Sequence, residues 1–578
     1  MTQPVRVWAP FPRVVELQAN GRRLAMTPGE SGWWTASPGP APGSDYGFIL
    51  DGAGPFPDPR SHWQPNGING LSRVLDQDAF RWTDTHWRAP PLSTAVIYEL
   101  HIGTFTAEGT FDAAIEKLEY LAGLGVTHLE IMPVNEFSGA RGWGYDGVNL
   151  YAPHHIYGGP DALKRLVGAC HGRGLAVLLD VVYNHLGPVG NHLGKFGPYF
   201  TKRYSSPWGE GINFDGADCG EVRRFFCDNA LMWLRDYHFD GLRIDAVHAI
   251  FDASAVPFLE QLGLEVQQCE ALLNRPLVLI PESDLNDPRL IWPRTRGGFG
   301  LDAQWSDDFH HALHAVLTGE RDGYYVDFGA LADLAKALRR AFVYDGQHSI
   351  FRRRPHGRPP TGLDGRHFLG YMQNHDQIGN RALGERSSHL LNTGRLKIAA
   401  ALVMTAPFVP LLFQGEEWGA RTPFLYFTDH QDEALGERVR QGRRREFAGR
   451  GWAEGRVPDP QARETFERSK LDWSEPFQAT HADLLNWHQR LIALRRNEPV
   501  LCNGRMDQVE VRYDETENWL VMERGPFVVG CNLGPAARKI RLCPGDCRVA
   551  LSSMPLDQSS NGAVELPADS VVIAIRPG

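Results

Sequence analysis

A short apolar stretch near the middle of the chain carries two charges that point the same way. The stretch "DGLRIDAVHAI", residues 240–250, alternates as a buried β-strand does. Because successive side chains of a strand point to opposite faces, Arg243 and Asp245 share one face and the apolar residues take the other. Burying a charge is costly unless it is paired, and apolar replacements are often neutral or stabilising. The two charges therefore indicate either an internal ion pair or a chemical role.

Further carboxylates and imidazoles follow other apolar runs of the chain. They are Asp180 and His185 in "DVVYNH", Glu282 in "IPES", and His375 and Asp376 in "QNHD". Paired carboxylates around one pocket suit the cleavage of a glycosidic bond. In that reaction one acid protonates the leaving oxygen, and another carboxylate attacks or stabilises the sugar cation.

The neighbours of each carboxylate predict different roles. Arg243 cannot lose its proton, so it would keep Asp245 ionised with a lowered pKa, which makes Asp245 the candidate nucleophile. Glu282 follows the apolar run "LVLI" with no adjacent cation, so desolvation would keep it protonated as the general acid. Asp376 remains to bind sugar hydroxyls and to favour distortion of the sugar ring.

Histidine and aromatic side chains near the same run ends suit the binding of sugars. His185 and His375 can donate hydrogen bonds to the sugar that the carboxylates attack. Tyr145 in "GWGYDGVNLY" can stack on the apolar face of that sugar, although simple packing in its loop is an alternative. We also expect stacking in sugar subsites, with packing as the alternative, for Trp143, Trp208 and Trp418.

The elements that position these residues are predicted by the alternation of apolar and amphipathic stretches. Between residues 89 and 497 short apolar runs alternate with helical patterns, which indicates βα units and a parallel sheet. Eight such strands can be assigned, from "AVIYEL" at residue 95 to "FVPLLFQ" at residue 408. Eight right-handed βα units close most naturally into a (β/α)₈ TIM barrel, whose active site lies at the C-terminal ends of the strands.

Both flanks of this region predict smaller domains, so the chain is expected to be multidomain. Residues 1–88 contain short alternating runs separated by turn signals and predict an N-terminal β-sandwich. Residues 498–578 predict a C-terminal β-sandwich for the same reason. Near residues 420–475 we expect a lid-like insertion in the barrel domain.

Composition limits the class of protein and its partners. The chain has 578 residues, 42% of them hydrophobic and 22% charged, which is typical of globular protein. Its net charge of −10 argues against nucleic acid as a partner, and the run "RQGRRR" at 440–445 is interpreted as a solvated helix face. The apolar window 396–414 is interrupted by Pro407 and Pro410, which favours a buried helix and strand over a membrane span.

The first residues and the cysteines predict where the protein works. "MTQPVRVWAP" has no basic region leading into an apolar one, so no secretory signal is visible and a cytoplasmic location is expected. Eight scattered cysteines suit reduced thiols, and no zinc-ligand spacing is present. We expect a monomer that needs no metal or cofactor.

Four of the stretches above resemble a known family. "DVVYNH", "GLRIDAVHA", "IPESD" and "QNHDQ" are similar to the four short conserved regions of the α-amylase superfamily of retaining α-glycoside hydrolases and transglycosylases. The resemblance implies that Asp245 is the nucleophile, Glu282 the general acid/base and Asp376 the transition-state stabiliser. The residues that match the subsite of the attacked sugar are Asp180, His185, Arg243 and His375. Retention through a covalent intermediate implies carboxyl groups about 5–5.5 Å apart.

Longer stretches are similar to a trehalose-releasing group within that superfamily. They include "VRVWAP", "FGPYFTKRYSSPWGEGINFDG", "LLFQGEEWGA" and "FERSKLDW", and the similarity covers nearly the whole chain. It implies hydrolysis of the α-1,4 bond next to the terminal trehalose unit of maltooligosyltrehalose, with a maltooligosyltrehalose-forming synthase as functional partner. It also implies an N-terminal module like that of branching enzymes. Where a typical α-amylase has a lysine-histidine pair, this chain has His248 and Ala249, and His248 is expected to bind substrate.

Two other functions remain open from the sequence. A glycogen branching or debranching enzyme would share the N-terminal module, the barrel and the three carboxylates. A catalytically inactive, amylase-like binding subunit is the alternative of another class, and the intact set of Asp245, Glu282 and Asp376 speaks against it. Many amylases bind structural calcium, but no full set of oxygen ligands can be identified here, so no metal is predicted.

Overall fold

Eight parallel strands form the centre of the molecule. The computed structural model describes residues 3–206, 208–448, 456–556 and 561–577. We number the strands β1 to β8 along the chain: Ile97–Leu100, His128–Ile131, Ala176–Val181, Gly241–Ile244, Val278–Pro281, Gln304–Trp305, Phe368–Gly370 and Val409–Phe413. Their hydrogen-bonded order is β5-β4-β3-β2-β1-β8-β7-β6, and every pairing is parallel.

The barrel is nearly closed, which modifies the predicted TIM barrel in one respect. Among the described residues, no ladder of hydrogen bonds joins β5 to β6, although the two strands lie side by side. The strand β6 has only two residues, Gln304 and Trp305, and both pair with β7. A strand this short offers too few main-chain groups to complete the circle.

Helices cover the outside of the barrel, so both faces of the sheet are buried and its strands are mostly apolar. All six residues of β3, for example, are buried. The α-helices of the described chain are Ile102–Phe105, Phe111–Ile115, Leu118–Leu124, Gly159–His171, Leu193–Phe196, Cys219–Asp236, Phe258–Leu273, Asp307–Thr318, Leu331–Arg340, His375–Gly379, Ser387–Leu390, Thr393–Thr405, Glu433–Ala448, Arg463–Glu467 and Ala479–Asn497.

The most apolar window of the sequence folds as a helix followed by a strand. Helix Thr393–Thr405 is buried on almost every side, and β8 follows it after the turn that contains Pro407. This confirms the prediction of a buried helix and a buried strand. Across the part of the chain that the structure describes, we find no helix with both the length and the apolar character needed to span a membrane.

Antiparallel sheets flank the barrel at both ends of the chain. The N-terminal strands are Val5–Trp8, Val15–Ala19, Arg22–Ala25, Thr27–Pro28, Trp33–Ala36, Asp45–Leu50, Ala53–Phe56 and Ser72–Arg73, arranged in a three-stranded and a five-stranded sheet. The C-terminal strands are Val509–Asp514, Trp519–Arg524, Phe527–Asn532, Arg538–Arg541, Arg548–Ser552, Ala563–Leu566 and Ser570–Ile575, in a five-stranded and a two-stranded sheet. Alternating burial, as in Val15–Ala19, is the pattern that the sequence predicted for these regions.

Loops after the barrel strands carry three hairpins and a helical segment. The hairpins are Asn135–Glu136 with Asn149–Pro153, Phe200–Ser206 with Gly209–Ile212, and Asp345–Ser349 with Arg354–Gly357. Helix Glu433–Ala448 follows β8 and contains the arginine run. The prediction of a solvated face is wrong at Arg443, which is buried, lies 5.4 Å from the Tyr426 ring and donates a 2.6 Å hydrogen bond to the Gly379 carbonyl.

Candidate active site

The opening pair of charges lies at the C-terminal end of β4, beside the end of β3. Strand pairing sets Asp180 directly opposite Arg243. The Arg243 guanidinium is fully buried, and its Nη1 donates to Asp180 Oδ2 at 2.7 Å and to Asp245 Oδ1 at 2.9 Å. One guanidinium therefore binds carboxylates from two neighbouring strands.

Glu282, at the end of β5, shares the same guanidinium but has a different environment. Arg243 Nη2 lies 3.5 Å from Glu282 Oε2, and the Ala246 N–H donates to that oxygen at 2.6 Å. Ala246 reaches it with a left-handed backbone, φ 39° and ψ 51°, a conformation that costs a non-glycine residue of order 1–3 kcal/mol. Burial raises the pKa of Glu282 well above its usual range, although Arg243 opposes the shift. The protonated form is thereby favoured.

Asp245 is held through both of its carboxylate oxygens. Arg243 donates to Oδ1, and the Asn184 side-chain amide donates to Oδ2 and to the main-chain oxygen of Asp245, both at 2.8 Å. The Asp245 side chain keeps 13% of its surface exposed. These donors fix the direction of a carboxylate that is accessible from the barrel opening.

A chain of hydrogen bonds crosses the pocket from β1 to β3. The main-chain N–H of His375 donates to Glu99 Oε2 at 3.0 Å, and its ring Nδ1 contacts Glu99 Oε1. The other ring nitrogen lies 2.8 Å from the Tyr145 hydroxyl, which donates to Asp180 Oδ2 at 2.7 Å. Burial lowers the pKa of His375, but the carboxylates of Glu99 and Asp376 outweigh it and raise this pKa to about 9. His375 is thus a cation in the pocket wall.

Tyr145 and Asp376 lie toward the open side. The Tyr145 ring stacks on His375 with centroids 5.2 Å apart, so one of its faces is already used in packing. Asp376 lies in the first turn of helix His375–Gly379, where the Asn374 side chain accepts from its N–H at 2.9 Å. Its side chain is 45% exposed, more than those of Asp245 and Glu282. The position suits contact with a bound sugar.

The predicted aromatic subsites divide into two groups. Trp208 is half exposed and stacks on His185 at 4.1 Å, beside a cavity of about 330 Å³. Trp143 lines the same cavity and donates from Nε1 to the Leu425 carbonyl at 3.0 Å. For Trp418 the stacking prediction is wrong, because the residue is fully buried and its Nε1 donates into the core, to Glu475. It packs rather than binds sugar.

His248 lies on the Glu282 side of the opening. It is exposed on the turn Val247–Ala249, and its Nδ1 is 3.9 Å from Asp284 Oδ1. Arg352 Nη2 donates to the other oxygen of Asp284 at 3.0 Å. The structure thus brings the predicted carboxylates, histidines, Arg243 and Tyr145 to the C-terminal end of the barrel, with His248 at the rim.

Comparisons with known proteins decide the family. The alpha-amylase catalytic-domain model matches residues 75–197. A malto-oligosyltrehalose trehalohydrolase from Mycobacterium tuberculosis is 50% identical over 535 residues, covering 92% of this chain and 92% of that protein. A malto-oligosyltrehalose trehalohydrolase from Arthrobacter ramosus is 50% identical over 579 residues, covering 98% of this chain and all of that protein. The chain belongs to the malto-oligosyltrehalose trehalohydrolase family.

A solved structure agrees with this membership. An α-amylase-like protein from Salmonella typhimurium superposes with a TM-score of 0.90 at 39% identity, covering 99% of this chain and 97% of that one. Malto-oligosyltrehalose trehalohydrolases are glycoside hydrolases of the alpha-amylase family, so the predicted family and the predicted class of enzyme are confirmed.

Three residues of this pocket were missed by the sequence reasoning. Trp305 lies under Arg243, with the guanidinium carbon 4.3 Å from the ring centroid. Asp307 accepts from the Tyr371 hydroxyl at 2.6 Å, and burial raises its pKa to about 6. Glu99 lies within β1. Asp307 follows β6 as Glu282 follows β5, so a search for carboxylates directly after strands would have found it. Glu99, like Arg243, is a charged residue inside an apolar run, and that pattern would have found it too.

Among the residues that the structure describes, one group of side chains has the composition of a metal site. Oxygen and nitrogen atoms of Glu136, His154 and His155 lie within 4.8 Å of one another. His154 Nδ1 and His155 Nδ1 lie 3.1 Å and 2.7 Å from the same Glu136 oxygen, so mutual hydrogen bonds account for the arrangement. None of the predicted site residues belongs to this group. That the enzyme needs no metal stays a prediction.

Proposed function

We propose that this protein hydrolyses the α-1,4 bond next to the terminal trehalose unit of maltooligosyltrehalose and releases trehalose and a maltooligosaccharide. Relatives about half identical in sequence over nearly the whole chain carry this reaction in their name. The proposal includes retention of the α-configuration.

The observation that carries the proposal is the pairing of two unlike carboxyl groups on one guanidinium. Asp245 is oriented by two donors, and Glu282 is buried with a raised pKa, yet both lie within 3.5 Å of Arg243 nitrogens. Retaining glycosidases need this combination of an ionised nucleophile and a protonated acid.

The reaction takes two steps. Glu282 gives its proton to the glycosidic oxygen while an Asp245 oxygen attacks the anomeric carbon, which frees trehalose and leaves a glycosyl ester. Glu282 then removes a proton from water, and the water oxygen displaces Asp245 to restore both groups. Nothing beyond substrate and water is consumed.

The remaining residues position the sugar that is attacked. The half-exposed Asp376 binds its hydroxyls, and His375 contributes its positive charge from the wall of the pocket. Asp180 and Tyr145 hold Arg243 and His375 in register through the chain of hydrogen bonds that joins them. His185, behind Trp208, contributes to the same pocket.

The organisation of the rest of the chain remains part of the proposal. We place the domain limits at 1–88, 89–497 and 498–578, with a lid-like insertion near 420–475. Each terminal pair of sheets would form a β-sandwich. The N-terminal domain is expected to act as a carbohydrate-binding-like module. A synthase that forms maltooligosyltrehalose would supply the substrate to a monomeric enzyme.

Product analysis tests the function directly. Purified protein is given maltotriosyltrehalose and, separately, maltopentaose, and products are separated by chromatography. We expect rapid release of trehalose from the first and little cleavage of the second, and no turnover of either by Asp245→Asn. Equal attack on both substrates would indicate a general α-glucanase, and new α-1,6 branches on amylose would indicate a branching enzyme.

A further inference from the structure

The arginine run on helix Glu433–Ala448 has one buried member. Arg443 is 9% exposed, whereas its neighbours Arg444 and Arg445 are exposed. A guanidinium keeps its charge at any ordinary pH, so burying it is costly unless its donors are paired. Solubility accounts for the exposed arginines of the run but not for Arg443. A role of Arg443 is therefore sought at the groups that its guanidinium contacts.

The Arg443 guanidinium ends on the main chain that follows Asp376. Its Nη2 donates to the Gly379 carbonyl at 2.6 Å and to the Arg381 carbonyl at 3.0 Å. Gly379 is the last residue of helix His375–Gly379, and Asp376 lies in the first turn of that helix. The last carbonyls of a helix have no partner within it, and arginine side chains are among the groups that bind them. Arg443 thus fixes the C-terminal end of the helix that carries Asp376.

The two carbonyls that Arg443 binds lie on either side of Asn380. The Asn380 side-chain amide donates to Asp376 Oδ1 at 3.4 Å, and the Asn380 main-chain N–H donates to the Asp376 carbonyl at 3.0 Å. Arg443 therefore holds both neighbours of a residue that contacts the Asp376 carboxylate. Contacts run without a break from the guanidinium through the main chain and the Asn380 amide to that carboxylate.

The other sides of this short helix are fixed by different residues. At its start the Asn374 side chain accepts from the N–H groups of Asp376 and Gln377. Along its flank a Cβ on Gly379 would lie 1.9 Å from Trp143 Cη2, so the tryptophan ring packs directly on the helix main chain. The Asp376 side chain itself is 45% exposed and gains little restraint from packing. The position of the helix and the contact with Asn380 therefore set where the carboxylate lies.

We propose that Arg443 is a positioning residue for the cleavage of the glycosidic bond, because it holds the end of the helix and the Asn380 amide that place Asp376 at the attacked sugar. This inference rests on the proposed function. It gives helix Glu433–Ala448 a part in the reaction through one arginine that touches neither the substrate nor the reacting atoms. A displacement of about 1 Å at a positioned group can cost on the order of 100-fold in rate.

Substitution of Arg443 tests the assignment through the separate values of kcat and KM. Arg443→Met keeps the apolar stem and removes the donors. Its kcat for maltotriosyltrehalose should fall by about 10- to 100-fold with KM within about 3-fold of the wild type, because Asp376 acts at the transition state. Arg443→Lys keeps the charge and a donor and should recover part of kcat. If thermal unfolding showed that Arg443→Met does not fold, Arg443→Lys would have to show the fall in kcat at unchanged KM.

A neighbouring arginine provides the matched control. Arg444 follows Arg443 on the same helix and is exposed, so Arg444→Met should leave kcat and KM as they are in the wild type. A fall in kcat of the same size in Arg444→Met would mean that the helix responds to any loss of charge. The assignment to Arg443 would then be wrong.

A double-mutant cycle with Asn380 tests the route by which Arg443 acts. Asn380→Ala should lower kcat as well, and the double variant should be little slower than the slower of the two single variants, because both changes act on one carboxylate. Losses that multiply, or a folded Arg443→Met with the kcat of the wild type, would overturn the assignment. If the wild type released no trehalose from maltotriosyltrehalose, the proposed function itself would fail, which is a different result.

Discussion

The two ends of the barrel both bury charged groups, but they treat them differently. At the base, where the strands begin, Asp240 precedes β4 and His171 ends helix Gly159–His171. At the mouth, where the strands end, the buried ionisable groups include Asp180, Arg243 and Glu282. The comparison separates charges that stabilise the fold from charges kept for chemistry.

At the base, both ring nitrogens of the central residue, His171, have hydrogen-bond partners. His171 lies between two carboxylates, with Nδ1 2.7 Å from Asp84 and Nε2 3.0 Å from Asp240. The other oxygen of Asp240 accepts from Trp87 Nε1 at 2.8 Å, and Asp84 also accepts from His238 at 2.9 Å. Because Asp84 lies on the segment that joins the N-terminal sheets to the barrel, this network fastens that segment to the base.

At the mouth the same kinds of group are left incomplete. Asp180 Oδ1, Arg243 Nε and both oxygens of Glu130 are buried and lack hydrogen-bond partners within the described part of the chain. Burial raises the pKa of Glu130 well above its usual range, and the neighbouring Glu99 adds to the shift. Unsatisfied buried groups cost stability, so their presence around Arg243 indicates a function at the mouth.

The largest expected effect separates chemistry from folding at the mouth. Glu282→Gln keeps the shape of the side chain but cannot release a proton, so kcat should fall on the order of 10²- to 10⁴-fold. The unfolding midpoint should stay near that of the wild type. Turnover of maltotriosyltrehalose and thermal unfolding, measured on the same preparation, check both statements; a large fall in the midpoint would make Glu282 a structural residue.

The base should show the reverse. His171→Asn leaves two buried carboxylates without their common partner, which should lower the free energy of unfolding by about 3 kcal/mol. Values of kcat and KM at low temperature should not change. Urea unfolding gives the first quantity. Loss of activity in the folded variant would show that base and mouth are coupled, contrary to the comparison.

Much of the fold could be predicted from the sequence because its signals are local. Apolar runs of parallel strands that are buried on both faces differ clearly from amphipathic helices, and all eight barrel strands lie where they were predicted. The gap between β5 and β6 could not be predicted, since it depends on how few residues of β6 remain extended. Trp418 and Arg443 were misplaced for a related reason: polar or aromatic character does not tell which side a residue of a loop or helix faces.

The part of the candidate site that could be predicted consists of charged residues at the ends of strands. Arg243, Asp245 and Glu282 lie together as their spacing indicated. The cavity wall from the segment after β8 could not be predicted, because Tyr426 comes to line the same cavity as Tyr145 and Trp208 only through the tertiary fold. The network at the base was missed as well, although Asp240 stands in the opening stretch "DGLRIDAVHAI" beside Arg243 and Asp245.

The pH dependence of the free energy of unfolding should show whether the network around His171 stabilises the fold through charge. Burial lowers the pKa of His171, but Asp240 and Asp84 outweigh it and raise this pKa above its usual value; the pKa of Asp240 is lowered despite its burial. The carboxylates therefore stabilise the fold above their unfolded pKa of about 3.9, and His171 does so below its unfolded pKa of about 6.5. The difference in unfolding free energy between wild type and His171→Asn should be largest between about pH 4 and 6.5.

That difference should decline as pH rises through the raised pKa of folded His171, and also as pH falls through the lowered pKa of folded Asp240. Urea unfolding of both proteins at about pH 5.5 and 9 measures the alkaline decline. A difference that is constant over this range would mean that His171 acts by packing rather than by charge.

The smallest expected effects come from two tryptophans that stack on histidines at opposite ends. Trp208 stacks on His185 at the mouth with centroids 4.1 Å apart, and Trp82 stacks on His238 at the base at 3.7 Å. Such a contact is worth about 1 kcal/mol. Trp208→Ala should raise KM by about 2- to 10-fold, because its half-exposed ring is available to sugar, and should lower the free energy of unfolding by less than about 1 kcal/mol, because that ring is only partly buried. Trp82→Ala should lower the free energy of unfolding by about 1 kcal/mol and leave kcat and KM unchanged, because Trp82 stacks on His238, which belongs to the hydrogen-bond network around His171. Enzyme kinetics and urea unfolding are measured on both variants. Similar changes in KM and in the free energy of unfolding for the two tryptophans would contradict the distinction between the mouth and the base of the barrel, because both residues stack on a histidine.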